Sequence, residues 1–135
     1  MSGFLDTSML VRYLTGDPQN LAEQAAQVID NEEGLQVTDV VLAETAYVLT
    51  SVYRIPRGIV ADHLIAFLQK ENIAPFALDK GTVLQALLLY RPTGRVSFAD
   101  AMVWAAAQSS GTRVVYSLDE RFPRDGVEVR QGLEG

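Results

Sequence analysis

The stretch LQVTDVVLAETAYVLTSVY, residues 35–53, carries the pattern that decides the fold. Its first three residues predict a short strand, and Thr38 or Asp39 then caps a helix that runs to about residue 53. A strand that leads directly into a helix is typical of α/β domains, in which a parallel sheet is covered by helices.

The same alternation of strand and helix continues on both sides of this stretch. Further strands are predicted at 3–6, 73–77, 113–117 and 126–129. Pro75 makes the second of these strands short or places it at a sheet edge. Further helices are predicted at 9–14, 20–33, 56–68, 79–88 and 97–110. No linker or repeat divides the chain, so residues 1–135 are expected to form a single domain.

The composition excludes several classes of site. The chain has no cysteine, which rules out disulfides, thiolate zinc sites and cysteine nucleophiles. Its one histidine, His63, excludes a site with several histidine ligands and makes a Ser-His-Asp triad a poor candidate. No apolar stretch reaches the roughly 18 residues of a membrane helix, and the N-terminus lacks the basic region of a secretion signal. We therefore expect a cytoplasmic protein that makes no membrane contact.

The net charge of −6 is unevenly distributed along the chain. Residues 1–53 carry eight acidic residues and one basic residue, Arg12, whereas residues 54–135 carry ten basic and nine acidic residues. This balance argues against a protein that wraps duplex DNA by charge alone. If nucleic acid binds, the second part must supply the phosphate contacts, or metal ions must neutralise the first.

Four carboxylates stand out from their surroundings. Asp6 and Asp119 each follow a predicted strand, whereas Glu44 and Asp100 each lie on an apolar helix with no basic residue within one turn. An acid on such a helix is costly unless something compensates its charge, and parallel sheets bind ligands at the carboxyl ends of their strands. A carboxylate cluster without histidine or cysteine favours Mg²⁺ or Mn²⁺. Such a site suits the hydrolysis of phosphodiester bonds.

Ordinary structural roles are open to most of these acids. Asp6 could cap the short helix that follows it, and Asp119 could be a turn or cap residue. Ser97-Phe-Ala-Asp100 fits a capping box, in which the serine and the acid satisfy the first turn of a helix. Glu44 is the hardest to explain in this way, because an acid in the middle of a helix serves neither as a cap nor as a turn residue.

The order of four motifs along the chain resembles that of the PIN-domain ribonucleases. The motifs are Phe4-Leu-Asp6-Thr-Ser8 with Leu10-Val-Arg-Tyr-Leu14, then Val41-Leu-Ala-Glu44, then Val96-Ser-Phe-Ala-Asp100-Ala, and finally Ser117-Leu-Asp119-Glu-Arg-Phe122. Each motif alone is weak, but the ordered set is strong and spans nearly the whole chain. It looks most like the VapC toxins of bacterial and archaeal toxin–antitoxin pairs.

This resemblance implies a fold, an activity and a set of partners. The fold would be a three-layer sandwich whose central, mostly parallel and twisted sheet of four to five strands is flanked by helices. The activity would be that of a metal-dependent endoribonuclease, with Asp6, Glu44 and Asp100 as the core ligands of Mg²⁺ or Mn²⁺. Asp119 would be the fourth ligand, often bound through water, and the hydroxyl of Thr7 or Ser8 would orient the first acid. The usual assembly is a homodimer with a tightly bound antitoxin.

Two other functions stay open at the level of the sequence. A phosphotransfer domain would use Asp6 as the nucleophile and form an aspartyl phosphate, although position 8 is a serine where one such family has a second acid. A binding module without catalysis would use the same acids to hold a basic partner.

Two surfaces are candidates for contact with partners. For RNA, the candidates are the arginines that flank the segments carrying Asp100 and Asp119, namely Arg91, Arg95, Arg113, Arg121 and Arg124. For a homodimer, the candidate is the helix at 39–53 with the helix at 59–68 as its companion. The first of these is apolar nearly all round, and such a helix is buried on all sides.

Overall fold

In the computed structural model, which describes residues 2–92 and 94–133, strands and helices alternate along the chain. The strands are β1 (Gly3–Leu5), β2 (Leu35–Thr38), β3 (Ile73–Phe76), β4 (Val114–Tyr116) and β5 (Glu128–Arg130). The helices are α1 (Thr7–Thr15), α2 (Gln19–Asn31), α3 (Asp39–Ser51), α4 (Arg57–Leu68), α5 (Lys80–Tyr90) and α6 (Phe98–Ser110). The predicted α/β class is confirmed.

The strands form one parallel sheet in the order β3-β2-β1-β4-β5. The chain runs outward from β1 through β2 to β3, and it then places β4 and β5 on the other side of β1. The order in which strands are added to the sheet reverses between β1 and β4. Such a switch point opens a crevice at the carboxyl ends of the strands. The strand that contains Pro75, β3, is an edge strand, as its sequence predicted.

Helices cover both faces of this sheet, as the sandwich architecture requires. Phe4 and Leu5 point to opposite faces of β1, because side chains alternate along a strand, and both are fully buried. The main core extends from them to Val28 and Ile29 of α2 and to Val103 of α6. None of the helices that the structure describes is long and apolar enough to span a membrane.

Local hydrogen bonds explain where the helices near the strand ends begin. Thr38, not Asp39, caps α3, since its Oγ1 accepts a hydrogen bond from the Val41 N–H at 3.2 Å. Ser97 caps α6 by accepting a hydrogen bond from the Asp100 N–H at 3.0 Å. The first helix, α1, begins at residue 7 and not at the predicted residue 9, because the chain turns into the helix directly after β1.

Candidate functional site

A cavity of about 800 Å³ opens at the carboxyl ends of β1 and β4. All four acids that the sequence singled out line it, namely Asp6, Glu44, Asp100 and Asp119. The first directly follows β1, the second lies in the middle of α3, the third in the first turn of α6, and the fourth in the loop after β4. Four elements that are distant in sequence therefore bring their carboxylates to one place, at the switch point of the sheet.

Asp6 is the most deeply buried of the four acids, with 2% of its surface exposed. Its Oδ2 accepts a hydrogen bond from Ser117 Oγ at 2.7 Å and another from Ser8 Oγ at 3.1 Å. The residue occupies the N-cap position of α1, but its side chain makes no capping hydrogen bond. The structure thus gives this carboxylate a role in the cavity and not the capping role that the sequence left open.

The second carboxylate oxygen of this residue, Asp6 Oδ1, is buried without a hydrogen-bond donor. Burial raises the pKa of Asp6, although hydrogen bonds from Ser117, Thr7 and Ser8 partly oppose this effect. The carboxyl group of Asp100 lies within hydrogen-bonding reach. A proton shared between the two acids or a bound cation would satisfy this oxygen.

Asp100 shows most clearly that the four acids influence one another. Burial raises the pKa of Asp100 to about 8, and the negative charges of Asp6, Asp119 and Glu44 add to that rise. Carboxylates held close together favour protonation of one of them. A divalent cation relieves the same repulsion without a proton, so the electrostatics of this cavity fit such an ion.

A hydrogen bond from the neighbouring helix α1 holds the side chain of Glu44. Thr7 Oγ1 donates a hydrogen bond to Glu44 Oε1 at 2.5 Å and so connects the first turn of α1 with the middle of α3. On α3 the buried positions are Val41, Thr45 and Leu49, which leaves Glu44 partly exposed at the cavity. The position of this acid in the middle of a helix is thus explained by the cavity and not by the helix itself.

Ser117 is a residue of the site to which the sequence assigned no role. It is fully buried, and its hydroxyl donates to Asp6 Oδ2 while it accepts a hydrogen bond from the Asp119 N–H at 3.0 Å. It therefore joins the first acid to the fourth. Asp119 Oδ1 also accepts a hydrogen bond from the Arg121 N–H at 2.9 Å, so this acid supports a turn while it lines the cavity. A small hydroxyl residue two positions before an acid at a strand end is the only local sign of this bridge.

The spacing of the acids limits how they could hold an ion. Within residues 2–92 and 94–133, no group of three acidic or histidine side chains stands close enough to bind one metal ion together. Magnesium is usually bound by one or two carboxylates and keeps several of its water molecules. Two carboxylates of this cavity, Asp100 and Asp6 with its unpaired Oδ1, would meet that requirement. The residues present therefore fit a hydrated divalent cation.

The five candidate arginines occupy different places in the structure. Arg91, Arg95 and Arg121 line the acidic cavity, and Arg124 lines a neighbouring one. Arg113 lines neither cavity. Its Nη1 donates to Gln108 Oε1 at 2.7 Å and to the Gly126 carbonyl oxygen at 3.0 Å, contacts that join the start of β4 to α6 and to the loop before β5.

The fold and the cavity together define an α/β domain with an acidic site at the switch point of a parallel sheet. Residues 3–126 match the model of the PIN domain, and the chain belongs to the PIN domain family. Among curated protein sequences, none matches the chain.

Two solved structures resemble this fold over almost their entire length. One is VapC20 of Mycobacterium tuberculosis, a sarcin–ricin loop cleaving toxin, with a TM-score of 0.78 and 24% identity over 96% of this chain and 99% of that one. The other is VapBC2 of Rickettsia felis bound to a DNA fragment from its promoter, with a TM-score of 0.66 and 14% identity. That alignment covers 96% of this chain and 98% of the other. These likenesses support the predicted PIN-like sandwich.

Proposed function

We propose that this protein is a metal-dependent endoribonuclease and the toxin of a type II toxin–antitoxin pair. The observation that carries the proposal is the convergence of four carboxylates, from four separate elements, on one cavity. Membership in the PIN domain family and the likeness to VapC20 support RNA as the substrate. The likeness to VapBC2 supports an antitoxin protein as the partner. The cytoplasm is the compartment in which such a toxin acts.

The chemistry divides between the ion and the side chains. When bound, Mg²⁺ or Mn²⁺ supplies Lewis-acid activation of water and neutralises negative charge on the phosphodiester. Asp6 and Asp100 would hold the ion directly, and Glu44 and Asp119 would act through its water molecules. Ser8 and Ser117 fix the orientation of Asp6, and Thr7 fixes that of Glu44.

The test is cleavage of pooled cellular RNA with Mg²⁺ or Mn²⁺, with and without EDTA. We expect cleavage that EDTA abolishes and that Asp6→Asn removes. Asp62→Asn, which makes the same charge change on the exposed surface of α4, is the matched control and should cleave like the wild type. Cleavage in the presence of EDTA, or by the Asp6→Asn protein, would contradict the proposal.

The two other functions that the sequence left open predict different results. A phosphotransfer domain should become labelled by acetyl phosphate at Asp6, and this labelling should be lost in Asp6→Asn. A binding module without catalysis should bind its partner but show no metal-dependent turnover. The cleavage assay therefore separates the three functions.

We further propose that the protein is a homodimer and that α5 forms part of its interface. Four large apolar side chains of this helix are between 40% and 63% exposed, namely Leu84, Leu87, Leu88 and Tyr90. Its inner side carries the small Ala86, which packs against Ala101 and Ala105 of α6. This helix thus exposes these four side chains, whereas Leu89 packs against the alanines, and no charged residue lies between Lys80 and Arg91. Such an uncharged face is complementary to a second copy of itself.

The helices on which the sequence placed the dimer also expose apolar side chains. Tyr47 lies on α3, Val52 directly follows it, and Ile59 and Ile65 lie on α4. We assign this second surface to the antitoxin, because a toxin that is both dimeric and antitoxin-bound needs two separate surfaces.

A further inference from the structure

A second cavity, of about 490 Å³, adjoins the acidic one and shares Arg95, Val96 and Arg121 with it. Its remaining walls come from α5 and from the loop between β4 and β5. These residues are Leu89, Glu120, Phe122, Pro123, Arg124 and Asp125. The volume is typical of sites for small ligands, which range from about 300 to 1,000 Å³. The acidic site described above makes no use of this space.

The lining of the second cavity combines an apolar wall with a cationic border. Leu89, Val96, Phe122 and Pro123 supply the apolar wall, and Phe122 belongs to the main core, which holds the wall rigid. The border carries arginines, and the side chain of Arg121 is 81% exposed, with its Nε 3.9 Å from Asp119 Oδ1. Arg124 is exposed as well. A ligand with an aromatic ring and a phosphate would fit this cavity, with the ring against the apolar wall and the phosphate at the cationic border.

The position of the cavity indicates which nucleotide it would receive. Arg95 and Arg121 line both cavities, so a chain of phosphates that leaves the acids meets these cations first. We propose that the second cavity is a subsite for the nucleotide next to the cleaved bond. Its base would lie against the partly exposed Leu89 and Pro123, and its phosphate would lie between Arg121 and Arg124. This inference rests on the proposed ribonuclease function and adds a substrate contact outside the acidic cluster.

The two carboxylates of the cavity restrict the base. Glu120 and Asp125 can only accept hydrogen bonds when ionised. They therefore pair with the amino groups of adenine, cytosine or guanine and have no amino group to bind on uracil. Adenosine 5′-monophosphate is a suitable probe, because it carries both the amino group and the phosphate and contains no bond that the enzyme would cleave.

The protein contains a natural reporter for this cavity. Its single tryptophan, Trp104, donates a hydrogen bond from Nε1 to the Asp125 carbonyl oxygen at 2.7 Å. Gln108 Nε2 donates to the same oxygen at 2.8 Å. A ligand that contacts the loop around Asp125 should therefore shift the indole N–H resonance, which is a single isolated signal in a nitrogen–proton correlation spectrum.

The experiment titrates the protein with adenosine 5′-monophosphate and follows the Trp104 indole signal. We expect a saturable shift in the millimolar range or below, and weaker binding of adenosine and of inorganic phosphate alone. Arg124→Ser should weaken nucleotide binding by about tenfold, the effect of losing one charge-assisted hydrogen bond. Arg57→Ser makes the same charge change at an exposed position on α4 and should bind like the wild type. The rest of the spectrum shows that each variant is folded.

A second measurement uses RNA cleavage and separates the two proposals. Arg124→Ser should raise KM for RNA by a similar factor and leave kcat nearly unchanged. An indole signal that does not move, or an equal loss of affinity in Arg57→Ser, would overturn the subsite. Nucleotide binding without any metal-dependent cleavage would leave the subsite standing and reject the nuclease. Cleavage that is indifferent to Arg124→Ser would reject the subsite and leave the nuclease standing.

Discussion

Replacement of Asp100 by asparagine should stabilise the metal-free protein at neutral pH. Burial and the neighbouring negative charges raise the pKa of Asp100 from 3.8 to about 8. The folded protein then binds this proton more tightly than the unfolded chain does, so its stability falls as the pH rises from about 4 to 8. At 1.36 kcal/mol for each pH unit, the cost at pH 7 is at most about 4 kcal/mol. An asparagine side chain has no charge and should recover most of that amount.

The cost belongs to a pair of acids and not to one residue. Asp6 and Asp100 influence each other's protonation, so the figure of about 4 kcal/mol is an upper limit for either substitution. Asp79 acts in the opposite direction, because hydrogen bonds from Thr82 lower its pKa. The stability that Asp79 contributes is lost only below about pH 4, outside the region from pH 5 to 8.

The assay is urea unfolding of the wild type, Asp100→Asn and Asp62→Asn in EDTA at pH 5 and pH 7. The stabilisation by Asp100→Asn should be larger at pH 7 than at pH 5 by up to about 3 kcal/mol, whereas Asp62→Asn should show no such dependence. In the wild type, Mg²⁺ or Mn²⁺ at a hundredfold excess over its dissociation constant should add about 2.7 kcal/mol. A wild-type stability that is constant between these pH values, or an equal effect of Asp100→Asn at both, would refute the reasoning.

Three further predictions concern the hydroxyl groups and the dimer. Ser117→Ala should lower the affinity for Mg²⁺ by about tenfold, because Asp6 loses a buried hydrogen-bond donor. The shift of the melting temperature with Mg²⁺ concentration measures this affinity. A response equal to that of the exposed Ser51→Ala would contradict the prediction. Thr7→Val keeps the shape of the side chain but removes its hydrogen bond to Glu44, so RNA cleavage should fall by about tenfold at unchanged stability. Full activity would show that this hydrogen bond does not contribute to cleavage. Leu88→Asp should give a monomer by light scattering and Ile65→Asp should stay dimeric, whereas the reverse result would move the interface to α4.

Much of the fold could be predicted because its signals are local. Ser97 and Asp79 cap helices through their own neighbours three residues on, and Pro75 excludes its strand from the middle of a sheet. These effects depend on a few adjacent residues, so the sequence displays them directly. The order of the elements along the chain then implies a parallel sheet with its ligand site at the strand ends.

The contacts that complete the site could not be predicted, because they join residues that are far apart in sequence. Ser117 meets Asp6 across 111 positions, and Thr7 meets Glu44 across 37. The arginines show the same limit. Arg113 is nearly as close in sequence to Asp119 as Arg124 is, yet it is tied to Gln108 and Gly126 outside both cavities. Only the direction in which each side chain leaves its element decides such cases.

The way in which the acids are held explains how the cavity can serve a cation. Thr7, Ser8 and Ser117 orient Asp6 and Glu44 through neutral hydroxyl donors. A lysine or arginine at these positions would hold the carboxylates more strongly, but it would also cancel their charge. Neutral donors leave the negative charge in place, and this charge adds to the rise that burial causes in the pKa of Asp100. The energy that the metal-free fold loses by keeping these charges close together would therefore be recovered on binding of a divalent cation, so that metal affinity and metal-free instability would have a common origin.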